Sequence, residues 1–304
     1  PFIAGALGYF GYDLGRSIEA FAPKKSPTST IDHSIAQDDL DFPDMLVGLY
    51  DWAIVIDTQN QQAWQTQYSE DAEQAWHKRQ QWLVEQGVSV VPSPAPNPAE
   101  FQLSRDWQAN MTADEYQAKF AQIQAYLQSG DCYQINLAQR FHNQYQGDEW
   151  QAYCKLSQYN QAPFSAFIRL ADKAVLSISP ERFIQLKDGN IETKPIKGTR
   201  PRSDMPEQDQ ANAEALKCAE KDRAENLMIV DLLRNDIGKI AVPGSVSVPH
   251  LFAIESFPAV HHLVSTIIGK LPTQQTPAAL LRACFPGGSI TGAPKIRAMQ
   301  IIEE

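Results

Sequence analysis

The sequence contains few cysteines and lacks the spacing that marks a metal site. Its four cysteines, Cys132, Cys154, Cys218 and Cys284, are far apart in a chain of 304 residues and include no Cys-x-x-Cys pair. Neither a zinc site nor a disulfide framework is therefore predicted. Basic residues are also outnumbered, since 26 lysines and arginines stand against 36 aspartates and glutamates, a net charge of −10. Nucleic-acid binding, which needs a basic surface, is not expected.

Long apolar runs are missing as well. No stretch approaches the roughly 18 apolar residues that a membrane-spanning helix needs, and the first residues lack the basic segment of a signal peptide. With 43% hydrophobic residues, the chain can bury a sizeable core in one large domain or two. We expect a soluble globular protein of the reducing cytoplasm that has no membrane partner.

The two ends and one internal segment suggest how the chain is divided. It opens without Met and closes at Glu304 inside an amphipathic pattern without a Gly or Asn cap, where a helix is expected to continue. Residues 92–99 are rich in proline and are predicted to form an extended linker. The sequence thus predicts an N-terminal region at 1–91, truncated at its start, and a catalytic region at 100–304, truncated at its C-terminal end.

Apolar periodicity predicts antiparallel strands with helices between them. Strands are predicted at 45–57, 63–68, 132–141, 164–170, 174–179, 182–186, 191–196 and 260–271. Four of them follow one another too closely for crossover helices, which favours antiparallel pairing, and Asp188-Gly189 is a typical hairpin turn. Residues 70–85 and 207–237 have helical patterns, and Thr112 with Glu115 forms a capping box that opens another helix. We predict an α+β fold in which helices pack outside antiparallel sheets.

One lysine has an unusual setting, in Pro195-Ile196-Lys197-Gly198-Thr199. Because the strand pattern ends at Ile196, Lys197 is predicted to lie where a hairpin strand runs out into a Gly-Thr turn. Lys197 can be a nucleophile in its neutral form, which burial or a nearby cation favours. A solvated surface lysine is the ordinary alternative. Glu181, at the start of the preceding strand, is expected to lie close to Lys197, with a surface carboxylate as the alternative.

Glu225 is a candidate metal ligand. Glu214, Lys221 and Glu225 share one stripe of the predicted long helix, which is apolar on both neighbouring faces after residue 226. A carboxylate at the edge of such burial is costly unless it is paired or bound to a metal. Mg²⁺ suits a single carboxylate because it keeps water ligands. A solvated helix face is the alternative.

Residues 285–295 are predicted to form a glycine-rich loop that opens a helix, with Pro294 suited to the first helical turn. Such a loop offers backbone N–H groups to an anion. Ala-Pro-Lys follows Gly292 where a Walker loop requires Lys-Ser or Lys-Thr, so a carboxylate is a better ligand than a nucleotide phosphate. A plain helix-entry turn is the alternative.

Two consecutive histidines, His261 and His262, lie on a predicted strand. Because neighbouring side chains on a strand alternate between its faces, only one of the two is expected to face inward. A structural role is the commoner outcome for either histidine.

Taken together, these segments resemble the chorismate-utilising enzymes, the family of anthranilate synthase large subunits, aminodeoxychorismate synthases, and isochorismate and salicylate synthases. The resemblance covers residues 111–304, and weaker similarity extends to residues 8–13. It rests on residues 131–137, 179–183, 195–199, 231–236, 262–265 and 287–295. It implies a sandwich of two large antiparallel sheets with helices packed outside.

Two positions indicate which reaction of this family is expected. Isochorismate and salicylate synthases carry a water-activating lysine at the position of Gln134, and glutamine is not a base at neutral pH. Anthranilate synthases typically carry alanine at the position of Lys197, whereas the lysine form resembles the aminodeoxychorismate synthases. The resemblance therefore implies amination of chorismate to 4-amino-4-deoxychorismate, which serves para-aminobenzoate and folate biosynthesis.

The resemblance also implies roles for individual residues. Lys197 would add to ring carbon C2 as the C4 hydroxyl leaves, Glu181 would donate the proton, and Mg²⁺ on Glu225 would hold a chorismate carboxylate. The residues implied to line the ring and carboxylate pockets are His262, Thr199, Gly198, Gly288, Ser289 and Gln134.

Other parts of the machinery are expected outside this chain. A glutamine amidotransferase subunit is implied as the source of ammonia. A second Mg²⁺ glutamate and a substrate-binding arginine are expected after residue 304, so this chain by itself is expected to catalyse weakly or not at all. Residues 160–165 resemble a segment that binds tryptophan in relatives.

Three alternatives stay open at the level of sequence. An anthranilate synthase would act on the same substrate but would release pyruvate. A non-catalytic fragment would fail to bind Mg²⁺ and chorismate. An unrelated lysine-dependent Schiff-base enzyme would be trapped by borohydride with a carbonyl substrate.

Overall fold

A computed structural model describes residues 4–19, 40–68, 72–85 and 100–304. The chain divides into two compact units, the first containing residues up to Leu14 and the segment from Leu40 to Glu100, and the second containing Gly15 and the residues from Phe101 to Glu304. The predicted proline-rich linker at 92–99 lies outside the described residues. The division into 1–91 and 100–304 stays a prediction.

The described residues contain both helices and strands. The helices are α1 (Gly15–Ile18), α2 (Ala72–Glu85), α3 (Ala113–Ser129), α4 (Glu149–Asn160), α5 (Pro206–Cys218), α6 (Glu220–Gly238), α7 (Pro277–Cys284) and α8 (Lys295–Glu303), with 3-10 turns at Tyr12–Leu14 and Gly288–Ile290. The strands are β1 (Gly5–Phe10), β2 (Met45–Tyr50), β3 (Trp52–Asp57), β4 (Gln62–Gln67), β5 (Gln102–Leu103), β6 (Gln108–Ala109), β7 (Gln134–Ile135), β8 (Phe141–His142), β9 (Tyr145–Gln146), β10 (Ala166–Arg169), β11 (Ala174–Ser177), β12 (Arg182–Lys187), β13 (Asn190–Lys194), β14 (Ile196–Pro201), β15 (Ser247–Ser256), β16 (Val260–Lys270) and β17 (Gly292–Ala293).

The first unit is built from two antiparallel strand pairs and α2. Strand β1 pairs with β2, and β3 pairs with β4 in a hairpin. In the hairpin turn, Asp57 Oδ1 accepts hydrogen bonds from the backbone N–H groups of Gln59 and Asn60, each at 3.0 Å. The predicted strand at 45–57 is thus two strands that belong to different pairs.

The second unit is organised around β16. This strand pairs with β13 through its C-terminal half, with β14 through its N-terminal half, and with β15 along its opposite edge. Strand β12 completes a five-stranded antiparallel sheet. The predicted hairpin is confirmed, because Asp188 and Gly189 connect β12 to β13 with positive φ angles of 51° and 75°, as a two-residue hairpin turn requires.

Helix α6 packs on this sheet and forms the main core with it. Ile229 and Ile237 of α6 and Ile191 and Ile267 of the sheet have no exposed surface. Each fully buried isoleucine contributes roughly 2 kcal/mol to the free energy of folding. The sheet and α6 are therefore a stable base for the residues that project from them.

The single helix predicted at 207–237 is two helices. Ala219 ends α5 and precedes α6 with an extended backbone, φ −67° and ψ 104°. Glu214 therefore lies on α5, whereas Lys221 and Glu225 lie on α6. The prediction that these three residues share one stripe of a helix is wrong, because periodicity alone does not reveal a break between two helical segments.

The predicted α+β class with antiparallel sheets is confirmed. The described residues form one five-stranded sheet and six two-stranded pairs, so the second large sheet that the resemblance implies stays a prediction. In the described part of the chain, no helix combines the length and apolar character needed to cross a membrane.

Candidate active site

The glycine-rich loop is attached to the short strand β7. Gly292 and Ala293 of β17 pair with Ile135 and Gln134 of β7. Gly292 has a φ of 154°, and a Cβ atom there would lie 2.1 Å from the carbonyl oxygen of Gln134, so only glycine allows this close pairing. The strand predicted at 132–141 is much shorter than expected, because β7 contains only two residues.

Ser289, at the tip of this loop, contacts a carboxylate from a distant segment. Its Oγ donates a hydrogen bond of 2.8 Å to Glu181 Oε1, and its carbonyl oxygen accepts one of 2.7 Å from Asn136 Nδ2. Gln134 Nε2 lies 3.4 Å from Asn136 Oδ1, while Gln134 Oε1 is buried without a hydrogen-bond partner in the described residues. The structure thus brings together three of the predicted site residues, Glu181, Ser289 and Gln134.

The other side of the loop packs on α6. A Cβ atom on Gly288 would lie 2.3 Å from Leu232 Cδ2, so the loop touches the helix through glycine backbone. The loop is buried except for its tip at Ser289 and Ile290 and for Pro294. Pro294 precedes the first turn of α8 as its N-cap residue, one position earlier than predicted.

Lys197 lies inside β14, not beyond the end of a strand, so that detail of the prediction is wrong. Ile196 pairs with Val264 and Thr199 pairs with His262, which leaves Lys197 and Gly198 opposite a single residue of β16 and forms a β-bulge. Gly198 adopts φ 86°, and a Cβ there would lie 2.8 Å from Leu216 and 2.9 Å from Asp222. The bulge therefore requires glycine next to the lysine.

The side chain of Lys197 is partly buried. It makes no hydrogen bond or ion pair with any residue that the structure describes. By contrast, Lys194 on the neighbouring strand is paired with Glu255. The amine of Lys197 on the bulge is thus not paired with a carboxylate of any residue that the structure describes.

His262 lies on β16 beside the bulge. Its Nδ1 is 2.9 Å from Thr199 Oγ1, and its ring packs edge-on against Phe257 at 5.4 Å between ring centroids. Burial lowers the pKa of His262, and the nearby charge of Glu255 opposes this effect only in part. The side chains of His262 and Thr199, two of the predicted site residues, are therefore within hydrogen-bond distance of each other.

His261 is also buried, which corrects the prediction that only one of the two histidines faces inward. His261 is 3% exposed and His262 is 8% exposed. His261 Nε2 lies 2.9 Å from Asp209 Oδ1, and its Nδ1 lies 2.8 Å from Ser256 Oγ. Both faces of β16 are covered, so alternation of side chains does not separate a buried residue from an exposed one.

A cavity of about 280 Å³ lies next to His262. Its lining includes His262, Phe257, Pro180 and residues 160–163. Pro180 directly precedes Glu181, the carboxylate to which Ser289 donates a hydrogen bond. The tryptophan-binding role implied for residues 160–165 stays a prediction.

Glu225 lies on α6 with 40% of its side chain exposed, and its nearest ion-pair partner is Lys221 Nζ at 3.8 Å. It precedes Leu232 by seven residues, which places both on one face of the helix about 10 Å apart along its axis. Asp222, which packs near Gly198, precedes Glu225 by one turn. Glu225 therefore lies on α6 between the lysine bulge and the glycine-rich loop.

Glu225 is the carboxylate for which the sequence predicts Mg²⁺ binding. A half-exposed carboxylate with only a loose lysine contact can bind a hard cation that keeps several waters. The described residues contain no group of three or more His, Cys, Asp or Glu side chains that could hold a metal ion. The exposure of Glu225 is therefore compatible with a single carboxylate ligand of Mg²⁺, and the metal site stays a prediction.

The sequence analysis missed two buried polar contacts close to these residues. Asn226, which follows Glu225, accepts a hydrogen bond of 2.5 Å from Ser265 Oγ. Asp236 forms a buried ion pair with Lys295 at 2.6 Å. A signal for the second contact is present, because Asp236 follows the buried Leu233 by three residues and so places a charge on the apolar face of α6.

Comparisons with known proteins agree with the resemblance stated above. The family described as chorismate binding enzyme matches residues 2–304. Aminodeoxychorismate synthase component 1 of Klebsiella aerogenes is 57% identical over 304 residues, and that of Escherichia coli strain K12 is 53% identical over 305 residues. Each match covers 100% of this chain, which spans 62% of the length of either relative.

A solved structure shows the same fold. Anthranilate synthase component I from Streptococcus pneumoniae TIGR4 matches with a TM-score of 0.84 and 30% identity, over 100% of this chain and 65% of that protein. The resemblance inferred from the motifs is confirmed by the family match across nearly the whole sequence. The chain belongs to the chorismate binding enzyme family.

Proposed function

We propose that this chain carries the chorismate-binding part of an aminodeoxychorismate synthase component I, which acts in the cytoplasm and converts chorismate and ammonia to 4-amino-4-deoxychorismate. The product would serve para-aminobenzoate and folate biosynthesis. The observation that carries the proposal is the position of Lys197 on the β14 bulge, partly buried and without an ion-pair partner in the described residues. An amine in such a setting is suited to nucleophilic catalysis. Identities of 53–57% to relatives named aminodeoxychorismate synthase component 1 support it.

Substrate binding would use the loop and the histidine pair. Backbone N–H groups at Gly288 and the start of the 3-10 turn would bind a chorismate carboxylate, because orphan N–H groups at a helical start favour anions. Thr199 and His262, 2.9 Å apart, would contact the ring. Gln134 would line the site without activating water, since an amide is not a base.

The chemical step would pass through a covalent adduct. The neutral amine of Lys197 would form a bond to ring carbon C2 while the C4–oxygen bond breaks, and Glu181 would give its proton to the departing hydroxyl, which leaves as water. Ammonia would then form a bond to C4 while the bond between C2 and the lysine breaks. Glu181 would regain a proton from the incoming ammonia, so the net reaction is the exchange of ammonia for water.

Glu181 is suited to this role by its contact with Ser289. The hydrogen bond from Ser289 Oγ at 2.8 Å restricts one carboxylate oxygen and leaves the other for the substrate. Glu225 would hold Mg²⁺, which, when bound, supplies positive charge to a substrate carboxylate. Ammonia would come from a glutamine amidotransferase subunit, a proposal that is consistent with the designation "component 1" of the relatives.

An anthranilate synthase is the second candidate, because the similar solved structure bears that name. The experiment that separates the two is product analysis of the full-length protein with chorismate, Mg²⁺ and an ammonium salt, with pyruvate assayed in the same tube. The proposal expects aminodeoxychorismate without pyruvate. Anthranilate with stoichiometric pyruvate would favour the second candidate, and failure to bind chorismate would contradict both.

A further inference from the structure

The glycine-rich loop is joined at both ends to α6 by one buried lysine. Lys295, at the C-terminal end of the loop and the first residue of α8, places its Nζ 2.6 Å from Asp236 Oδ2. The same Nζ donates a hydrogen bond of 3.0 Å to the carbonyl oxygen of Cys284, the last residue before the loop. The side chains of Lys295 and Asp236 are 5% and 0% exposed. The side chain of Lys295, at one end of the loop, therefore contacts the other end of the loop and the helix beneath it.

Stability alone does not explain this arrangement. Taking two charges out of water costs several kcal/mol per ion, and apolar residues of similar size often serve stability equally well. Asp236 also has a second partner, because its Oδ1 lies 2.9 Å from Nζ of Lys239, which is 44% exposed. Asp236 is thus already paired with a lysine that reaches solvent. What Lys295 adds is an ion pair that connects the two ends of the loop to α6.

The loop held between these anchors contains the candidate binding atoms. Gly288 packs on Leu232, which lies one helical turn before Asp236 on α6. Ser289 Oγ donates a hydrogen bond to Glu181. The loop therefore touches α6 at two neighbouring points, through Gly288 and through Lys295. Releasing the second contact would allow the backbone at Gly288 and Ser289 to move away from Glu181.

We propose that Lys295 is a positioning residue for substrate binding. Its ion pair with Asp236 and its hydrogen bond to Cys284 hold the glycine-rich loop in the conformation that binds a carboxylate of the substrate. Lys295 acts through the loop and does not itself contact the substrate. The identity of that substrate as chorismate rests on the proposed function.

The test uses the full-length protein with Lys295→Met, which keeps an unbranched apolar side chain and removes the ammonium group. Two quantities are measured: amide hydrogen exchange of residues 287–291 without substrate, and KM and kcat for chorismate. We expect exchange to become about tenfold faster. We expect KM to rise about tenfold, because a binding interaction with the substrate is lost, and kcat to fall by no more than about tenfold, because the same movement weakens the contact between Ser289 and Glu181. Lys239→Met, which removes only the exposed partner of Asp236, is the matched control and is expected to change neither quantity by more than about twofold.

A second variant separates positioning from folding. Lys295→Met removes one partner of a buried ion pair and is expected to lower the thermal unfolding temperature. In the double variant Asp236→Leu with Lys295→Met, no charge is left unpaired in the core, so this temperature is expected to return toward the wild-type value. KM is expected to remain raised. The proposal would be overturned if Lys295→Met or the double variant had the KM of the wild type and the same amide hydrogen exchange at residues 287–291. If the wild-type protein does not turn over chorismate, the proposed function fails, and hydrogen exchange alone then decides whether Lys295 holds the loop.

Discussion

Ser289 Oγ donates a hydrogen bond to Glu181 Oε1 at 2.8 Å, although 108 residues separate them in the chain. Asn136 holds the carbonyl oxygen of the same serine at 2.7 Å, so the loop tip is bound on two sides by distant segments. The contact links a candidate anion-binding loop to a candidate proton donor. Binding and proton transfer at this site are therefore expected to depend on one another.

Ser289→Ala tests this link. The substitution removes the hydroxyl donor and leaves Glu181 without that orienting contact, so we expect kcat for chorismate to fall about tenfold, which corresponds to about 1.4 kcal/mol in activation free energy. Steady-state kinetics of the full-length protein measure this. Ile290→Ala changes the exposed neighbouring side chain and serves as control. Wild-type kcat in Ser289→Ala would mean that Glu181 is oriented by other contacts.

Lys197→Ala tests the nucleophile. We expect loss of any chorismate-derived adduct at residue 197 and a fall in activity of at least about a thousandfold, because no other group of the bulge can form the bond to C2. Intact-protein mass spectrometry after quenching, followed by peptide mapping, measures the adduct. Lys187→Ala alters an exposed lysine of the same sheet and should leave adduct and activity unchanged. An adduct that forms equally well on Lys197→Ala would contradict the covalent step.

His262 makes the stability of the protein depend on pH. Burial lowers its pKa in the folded state, so between the folded and unfolded pKa values the unfolded chain binds more protons. The lowered pKa of His262 does not affect stability well above the unfolded pKa of about 6.5, where the histidine is neutral in both states. As pH falls through that value, the unfolded chain takes up a proton more readily than the folded protein. The free energy of unfolding should therefore decrease on acidification from pH 7.5 to pH 5.5.

Chemical denaturation at these two pH values measures the decrease, and His262→Gln isolates the contribution of this histidine. The variant is expected to lose less stability than the wild type over the same interval. An equal loss in both proteins would assign the pH dependence to other groups.

Gly198→Ala tests the bulge. The residue has a φ of 86°, and a Cβ there would lie 2.8 Å from Leu216, so we expect destabilisation by about 1 kcal/mol or more together with reduced activity from a displaced Lys197. Gly238→Ala is the matched control, since no atom lies within 4 Å of its added Cβ. The thermal unfolding temperatures of both variants measure this loss of stability. Equal stability of the two variants would contradict the prediction that alanine is strained at position 198.

Features that depend on neighbouring residues were predicted well. The capping box of Thr112 and Glu115 opens α3, which ends at Gly130 with a φ of 80°. Asp188 and Gly189 form the turn of the β12–β13 hairpin. Each of these structures is set by backbone geometry and by hydrogen bonds within a few residues, so the sequence contains the information locally.

Features that depend on distant partners were predicted poorly. The break at Ala219 follows the packing of α5 and α6 on the sheet and has no glycine or proline to mark it. The burial of His261 depends on Asp209, 52 residues away. The bulge at Lys197 depends on its register with β16.

The sequence by itself determined the α+β class, the hairpin, the capped helix and the motifs that identify the family, because these follow from composition, periodicity and short-range backbone preferences. Only the tertiary structure decided that Ser289 contacts Glu181, that Lys197 lies on a bulge beside the pair of Thr199 and His262, and that Lys295 contacts Cys284 at the other end of the loop and Asp236 of α6. These contacts join segments far apart in the chain, and their geometry is set by how the sheet, α6 and the loop pack together, which no local pattern specifies.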